Sequence, residues 1–243
     1  MSVYSHRVFT RMMLVAFVSI AARVPAASPV AQPVRHVLRL DSLAAFEFDN
    51  VDAAFVTYRQ RHALRLLPHI GAVTDGWQGY AESVAIIRNS EFHNGIIDAE
   101  VSGAPMVGAR EGSRGFVGIA FRTQPHASAF ETFYLRPTNG RADDQLRRNH
   151  AVQYQAFPDF QWDRLRQQSP GVYETYADIE PGAWTTMKIV VSGTTARLYV
   201  NGASQPTLVV NDLKLGDAHG SIALWIGQDT EAYFSRLSVT PAL

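Results

Sequence analysis

The chain has 243 residues, of which 47% are hydrophobic and 18% charged, with 22 basic and 22 acidic side chains and no cysteine. This composition excludes a disordered, fibrous or membrane-embedded chain. The lack of cysteine excludes disulfides, thiolate catalysis and Cys-based zinc sites. A chain of this length buries roughly 70% of its unfolded surface, enough for a core without covalent staples.

Residues 1–26 read as a cleaved secretory signal. Arg7 and Arg11 form a basic start, Met12 to Ala22 (MMLVAFVSIAA) is an apolar run too short to span a bilayer, and Val24-Pro25-Ala26 supplies small residues for a peptidase. A secreted or periplasmic location follows as the expectation, with no membrane span after cleavage. Removal of this segment takes away Arg7, Arg11 and Arg23 and no acid, leaving a formal charge of −3. A weakly acidic chain without a basic tract is not expected to bind nucleic acid. Residues 27–36, rich in Pro and Ala, read as a flexible lead-in to a domain over residues 37–243.

Within that domain, short runs alternate polar and apolar residues and are separated by turn residues. In Phe116 to Arg122, Val117, Ile119 and Phe121 point one way, and Gly118, Ala120 and Arg122 the other. In Glu131 to Arg136, Phe133 and Leu135 oppose Thr132, Tyr134 and Arg136. Residues 137–182 break the rhythm and read as a long insert, the length at which loops are commonly functional. Strands resume at Trp184 to Val191, Ala196 to Val200, Thr207 to Val210, Ser221 to Ile226 and Ala232 to Val239. Gly193 turns the chain, and Asn201-Gly202 marks a turn that needs positive φ. Many short strands at this spacing predict an all-β sandwich or barrel.

The densest polar stretch is Glu131 to Gln155 (ETFYLRPTNGRADDQLRRNHAVQYQ). Two chemistries fit its residue types. Glycoside hydrolysis needs two carboxylates roughly 5 to 10 Å apart, for which Glu131, Asp143, Asp144, Glu82, Asp98 and Glu100 are available. β-Elimination on a uronate needs a cation or amide on the sugar carboxylate, a base and an acid. Arg148, Asn149, His150, Gln153 and Tyr154 supply those types within seven residues. The expected catalytic set is Glu131, Arg148, His150 and Tyr154. The expected substrate-binding set is Arg122, Tyr134, Arg136, Asn149, Gln153 and Trp225, with the aromatic faces and guanidinium forks that sugars use. No cofactor is expected: HExxH, HxH and EF-hand spacings are missing, and structural Ca²⁺ has no support beyond the adjacent Asp143 and Asp144.

The closing segments, WTTMKIVVSGTTARLYVNG, TLVVNDLKLGDAHGSIALWIG and AYFSRLSV, resemble the last strands of concanavalin A-like lectin/glucanase domains. The likeness is strongest to the bacterial laminin G-like and 3-keto-disaccharide hydrolase-type domains. It rests on Trp184, Lys188, Gly193, the Tyr199 to Gly202 turn, Gly220, Ile222, Leu224, Phe234, Leu237 and Val239. FHNGIIDAEVSG and GFVGIAFR resemble the earlier strands, so the likeness covers most of residues 40–240. It implies an all-β, two-sheet antiparallel jelly roll that acts on or binds a poly- or oligosaccharide by hydrolysis or β-elimination. The alternative is a non-catalytic lectin-like or adhesion module. The Glu-x-Asp-x-x-Glu strand of laminarinase-type glucanases is replaced here by Ile96-Ile97-Asp98-Ala99-Glu100, so that catalytic set does not carry over.

Overall fold

A computed structural model describes residues 1–2, 33–69 and 82–242. The expected signal segment and most of the lead-in lie outside the described residues. From residue 33 onward the described chain forms fifteen strands. They are β1 (His36–Val37), β2 (Phe46–Asp49), β3 (Val51–Tyr58), β4 (Arg61–Pro68), β5 (Ser83–Ile87), β6 (Gly95–Pro105), β7 (Val117–Thr123), β8 (Phe130–Leu135), β9 (Val152–Phe157), β10 (Glu174–Thr175), β11 (Thr185–Ser192), β12 (Thr195–Val200), β13 (Leu208–Val210), β14 (Ser221–Ile226) and β15 (Thr230–Pro241). Two short helices, α1 (Gln145–Asn149) and α2 (Trp162–Gln168), interrupt them.

The strands pair antiparallel into two sheets. Sheet A runs β13-β12-β11-β6-β15-β4-β3, with β1 added to β15; sheet B runs β10-β9-β8-β7-β14-β5-β2. Their facing sides interdigitate into one apolar core, which includes Leu64, Ile97, Ile119, Phe133, Ile189 and Phe234. This is the two-sheet antiparallel jelly roll that the strand pattern and the resemblance predict.

The C-terminal hairpins follow their turn chemistry. Asn201 and Gly202 take φ of 52° and 72°, which asparagine and glycine tolerate best. The Asn201 side chain then accepts a hydrogen bond from the Thr186 amide at 3.1 Å and closes the turn.

Sheet B carries a second apolar layer on its outer face, where Val84, Ile86, Phe130, Tyr134, Ala223 and Trp225 pack together. Gly118 makes this layer tight. A Cβ there would lie 2.3 Å from the Phe133 carbonyl oxygen and 2.6 Å from the Tyr134 Cβ, so only glycine lets β7 and β8 approach with the Tyr134 side chain on the outer face.

The segment 137–182 is not a single irregular loop. It contains β9, which pairs with β8 in the middle of its half of sheet B, and β10 at that sheet's edge, joined through α1 and α2. Its polar strand VQYQAF escapes a hydrophobic pattern because glutamines occupy the outward positions, where Gln153 accepts from Arg136 and Gln155 lines a cleft.

Candidate functional site

A cleft of about 1130 Å³ lies on the outer face of sheet B, large enough for an oligosaccharide. Tyr134 from β8, Arg136 just after it, Gln155 from β9 and Trp225 from β14 line its floor; α2 contributes Trp162 and Arg166, and α1 and its C-terminal end contribute Arg147 and His150. Glu82, immediately before β5, and the residues around Phe116 complete the lining.

Arg136 organises one end. Its guanidinium donates to the Tyr134 hydroxyl (2.9 Å), to Gln153 Oε1 (3.1 Å) and to the His150 carbonyl (3.1 Å), and only 5% of the residue is exposed. The rings of Tyr134, Phe116 and Trp162 lie 5.2, 5.8 and 5.9 Å from its central carbon. Burial lowers its pKa, but a guanidinium stays charged at any physiological pH, so the cation is permanent. Its counter-charge is Glu174 on β10, 3.8 Å away. Glu174 also takes a bidentate bond from Arg166 and lies 3.1 Å from His150 Nε2.

That contact makes Nε2 the proton-bearing nitrogen when the ring is neutral, leaving Nδ1 as the acceptor. Burial pushes the His150 pKa down, with Arg166 and Arg136 adding to the fall and Glu174 opposing it. Tyr134 is pushed up to about 12 by burial and keeps its proton at neutral pH.

Glu82 organises the other end. The Trp225 indole N–H donates to its carboxylate, and the Trp225 and Tyr134 rings lie 4.8 Å apart. Burial raises the Glu82 pKa to about 7, against the opposing effect of the Trp225 hydrogen bond. One cleft thus holds a carboxyl with a raised pKa and an imidazole with a lowered one, with a tyrosine and an arginine on the same floor.

The expected site residues divide between this cleft and other places. Tyr134, Arg136, His150 and Trp225 line the cleft, and Gln153 supports it through Arg136. Arg148 and Asn149, on α1, do not line it. Arg148 lies over the Tyr176 ring at 5.0 Å and donates to its hydroxyl at 3.1 Å, while Asn149 accepts from Gln145 at 2.7 Å.

Glu131 and Tyr154 point inward, to the opposite side of sheet B. Tyr154 belongs to the main core, Glu131 is fully buried beside it, and they hydrogen-bond to each other. The Tyr154 hydroxyl accepts from the Lys214 amide and the Glu131 carboxylate from the Leu215 amide, each at 2.8 Å, which fixes the loop between β13 and β14.

Arg122 departs from the alternation that predicted an outward side chain. Between the pairs Ser221↔Thr123 and Ala223↔Ala120, β7 has one residue more than β14, and Arg122 is in the left-handed region at φ 54°. This bulge turns its side chain to the end of the sandwich. There it donates to the carbonyls of His93, Gly216 and Gly193, to Asn94 Oδ1 and to Asp217 at 2.6–3.1 Å, with no exposure.

Asp98 and Glu100 share a face of sheet A, paired in register with Lys188 and Thr186, and Glu100 forms ion pairs with Arg61 and Arg236. Sequence reasoning missed Arg166, which lines the cleft, and Glu174, which pairs with it. Arg166 and Glu174 stand eight apart with no motif spacing, so no local signal identified them. Glu82 was one carboxylate among six, and nothing local distinguished it.

Among the described residues, no group of three or more His, Asp or Glu side chains is arranged to hold a metal ion, and no helix is long and apolar enough to cross a membrane.

Solved structures with similar folds include the carbohydrate-binding module CBM66 from Bacillus subtilis. It matches at a TM-score of 0.54 and 12% identity, over 81% of this chain and 96% of that one. A candidate glycosyl hydrolase from Parabacteroides distasonis matches at 0.51 and 11%, over 86% and 100%. A B. subtilis protein with a galectin-like fold matches at 0.50 and 14%, over 86% and 96%. At such identities these likenesses show the fold alone. No curated protein sequence matches the chain significantly.

The sandwich and its strand order define a two-sheet antiparallel jelly roll of the concanavalin A-like fold. The model of one family, the 3-keto-alpha-glucoside-1,2-lyase-like domain, matches residues 65–240. The chain belongs to that family.

Proposed function

We propose that the domain cleaves an oligosaccharide in the sheet B cleft, by β-elimination at a 3-keto-α-glucoside unit. The observation that carries this reading is the pair Glu82 and His150, two groups lining one cleft whose pKa values are displaced in opposite directions. A carboxylic acid raised to about 7 still carries a proton near neutral pH, and an imidazole lowered from its usual value is free to accept one. Environments that drive two groups apart in this way mark an acid and a base. The family description, a lyase of 3-keto-α-glucosides, supplies the substrate and bond type.

In such a sugar the C3 ketone acidifies the proton on C2. His150 takes that proton through Nδ1. The electrons of the C2–H bond form the C1=C2 bond, the C1–O bond breaks, and Glu82 gives its proton to the departing oxygen. No water is consumed. On an α-glucoside the C2–H and C1–O bonds are trans-diaxial, so acid and base belong on opposite sides of the ring. The Arg136 cation and the Tyr134 hydroxyl, at the cleft floor, stabilise negative charge that develops on the C3 oxygen.

Glu82→Gln and His150→Gln are each expected to lower turnover of a 3-keto-α-glucoside by roughly 10²- to 10⁴-fold, the usual worth of general acid–base groups. Mass spectrometry identifies the reaction, because elimination products together weigh no more than the substrate, whereas hydrolysis adds one water. Retained turnover in both variants refutes the assignment.

The aromatic lining of Tyr134, Trp162 and Trp225 also favours a second reading, a binding module without catalysis. In that case the same variants change affinity only and no product forms. We further propose export, on the basic, apolar and small-residue pattern of residues 1–26. N-terminal sequencing of the mature protein is expected to begin after Ala26 or Ala27.

A further inference from the structure

Charge is neutralised unevenly across the cleft. Arg136 and Arg166 share the buried carboxylate of Glu174, and outside the cleft Arg141 pairs with Asp178 and Glu180. Three arginines lining the cleft lack such a partner; one of them, Arg164 on α2, instead donates to the Asp159 carbonyl at 3.0 Å and lies over the Phe160 ring at 4.5 Å. Among the described residues, neither Arg114, in the loop before β7, nor Arg147, on α1, forms a side-chain ion pair. The Arg114 guanidinium makes one long contact, 3.4 Å to the Ser113 carbonyl.

Among the described residues the nearest acids in sequence, Glu111, Asp143 and Asp144, form no ion pair with Arg114 or Arg147. Asp144 spends its carboxylate on the backbone amide of Arg147 at 2.7 Å, capping α1. Arg114 is also close enough to both Arg147 and Arg136 that their charges, after burial, push its pKa down. Folding therefore brings Arg114, Arg136 and Arg147 into one cleft with only Arg136 ion-paired, an arrangement that an incoming anion relieves.

We infer that the cleft takes an anionic saccharide, whose carboxylate, sulfate or phosphate group is held by Arg114 and Arg147. Planar guanidinium forks match the paired oxygens of all three groups, and the neutral part of the sugar lies over Tyr134 and Trp225. This inference rests on the reading of the cleft as a saccharide site and narrows its substrate class.

Isothermal titration calorimetry with the whole chain tests it, using a neutral α-linked glucose disaccharide, its uronic acid counterpart, its sulfate ester and its phosphate ester. At least one anionic probe is expected to bind about tenfold or more tightly than the neutral one, the worth of one good charge-assisted contact. The preferred probe identifies the group. In Arg114→Gln/Arg147→Gln the ratio of anionic to neutral affinity falls to about one. Arg147→Gln alone, on an exposed helical position, reports a partial fall even if the double variant is unstable. Equal binding of neutral and anionic probes, or a preference that survives both substitutions, overturns the inference while leaving the saccharide site standing. Failure of every probe to bind overturns both.

Discussion

Replacing Tyr154 with Phe separates a structural role from a catalytic one at a position whose residue type fits either. The hydroxyl makes two buried contacts, donating to Glu131 and accepting from the Lys214 amide at 2.8 Å. Phe keeps the ring and its packing against Phe133 and Tyr173, whose centroids are each 5.6 Å away. The substitution therefore removes only the two hydrogen bonds. A buried donor or acceptor left without its partner costs about 1–3 kcal/mol, and one that is charged costs more. Two such groups predict a loss of about 2–5 kcal/mol, which for a domain of this size lowers Tm by roughly 5–15 °C. Urea and thermal unfolding measure the loss, and turnover per folded molecule is recorded below the new transition. That turnover is expected to stay near the wild-type value, because Tyr154 and Glu131 lie in the core on the far side of sheet B from the cleft. A Tyr154→Phe protein as stable as the wild type but with turnover reduced a hundredfold refutes this reasoning and restores the pair to the active site.

Other outcomes follow from the same structure. Glu82 has a folded-state pKa raised from 4.5 to about 7, so its contribution to stability is fully present below about pH 4.5 and is lost as pH rises through about 7. Glu82→Gln is expected to flatten the stability curve in that window, and parallel curves for variant and wild type from urea titrations at pH 4, 5.5 and 8 count against a carboxyl held protonated by the fold. Arg122→Met strips three carbonyls, Asn94 and Asp217 of a buried donor. It is expected to cost about 3–5 kcal/mol in urea unfolding, as when one partner of a buried charged network is removed, and a loss below 1 kcal/mol contradicts the clamp. Gly140→Ala puts a Cβ 2.2 Å from the Ile179 carbonyl oxygen in a backbone conformation that alanine itself tolerates, so its cost is purely steric. An expected loss of about 1–3 kcal/mol, read from Tm, tests how tightly the β8–α1 connection packs against residue 179.

Fold class and most strand positions were legible in the residues alone, because period-two alternation and turn chemistry are local properties. Ser221 to Ile226 is a strand at both ends as read, and Asn201-Gly202 turns with positive φ in both residues. The outward placement of Tyr134 and Arg136 follows from Phe133 and Leu135 entering the core, and His150 and Trp225 were identifiable by residue type. Which polar residues share a solvent space depends instead on contacts between distant segments. The bulge in β7 sends Arg122 to the end of the sandwich. The inward phase of Glu131 and Tyr154 buries both in the core. Glu82 and Arg166 reach the cleft from separate segments, and Glu174 reaches Arg166 from a third. Strand pairing brings β5 beside β14 across more than a hundred residues of chain, and that contact places the Glu82 carboxyl against the Trp225 indole and raises its pKa. A desolvated carboxyl is a property of its enclosure, and the enclosure forms only when the distant segments of sheet B come together.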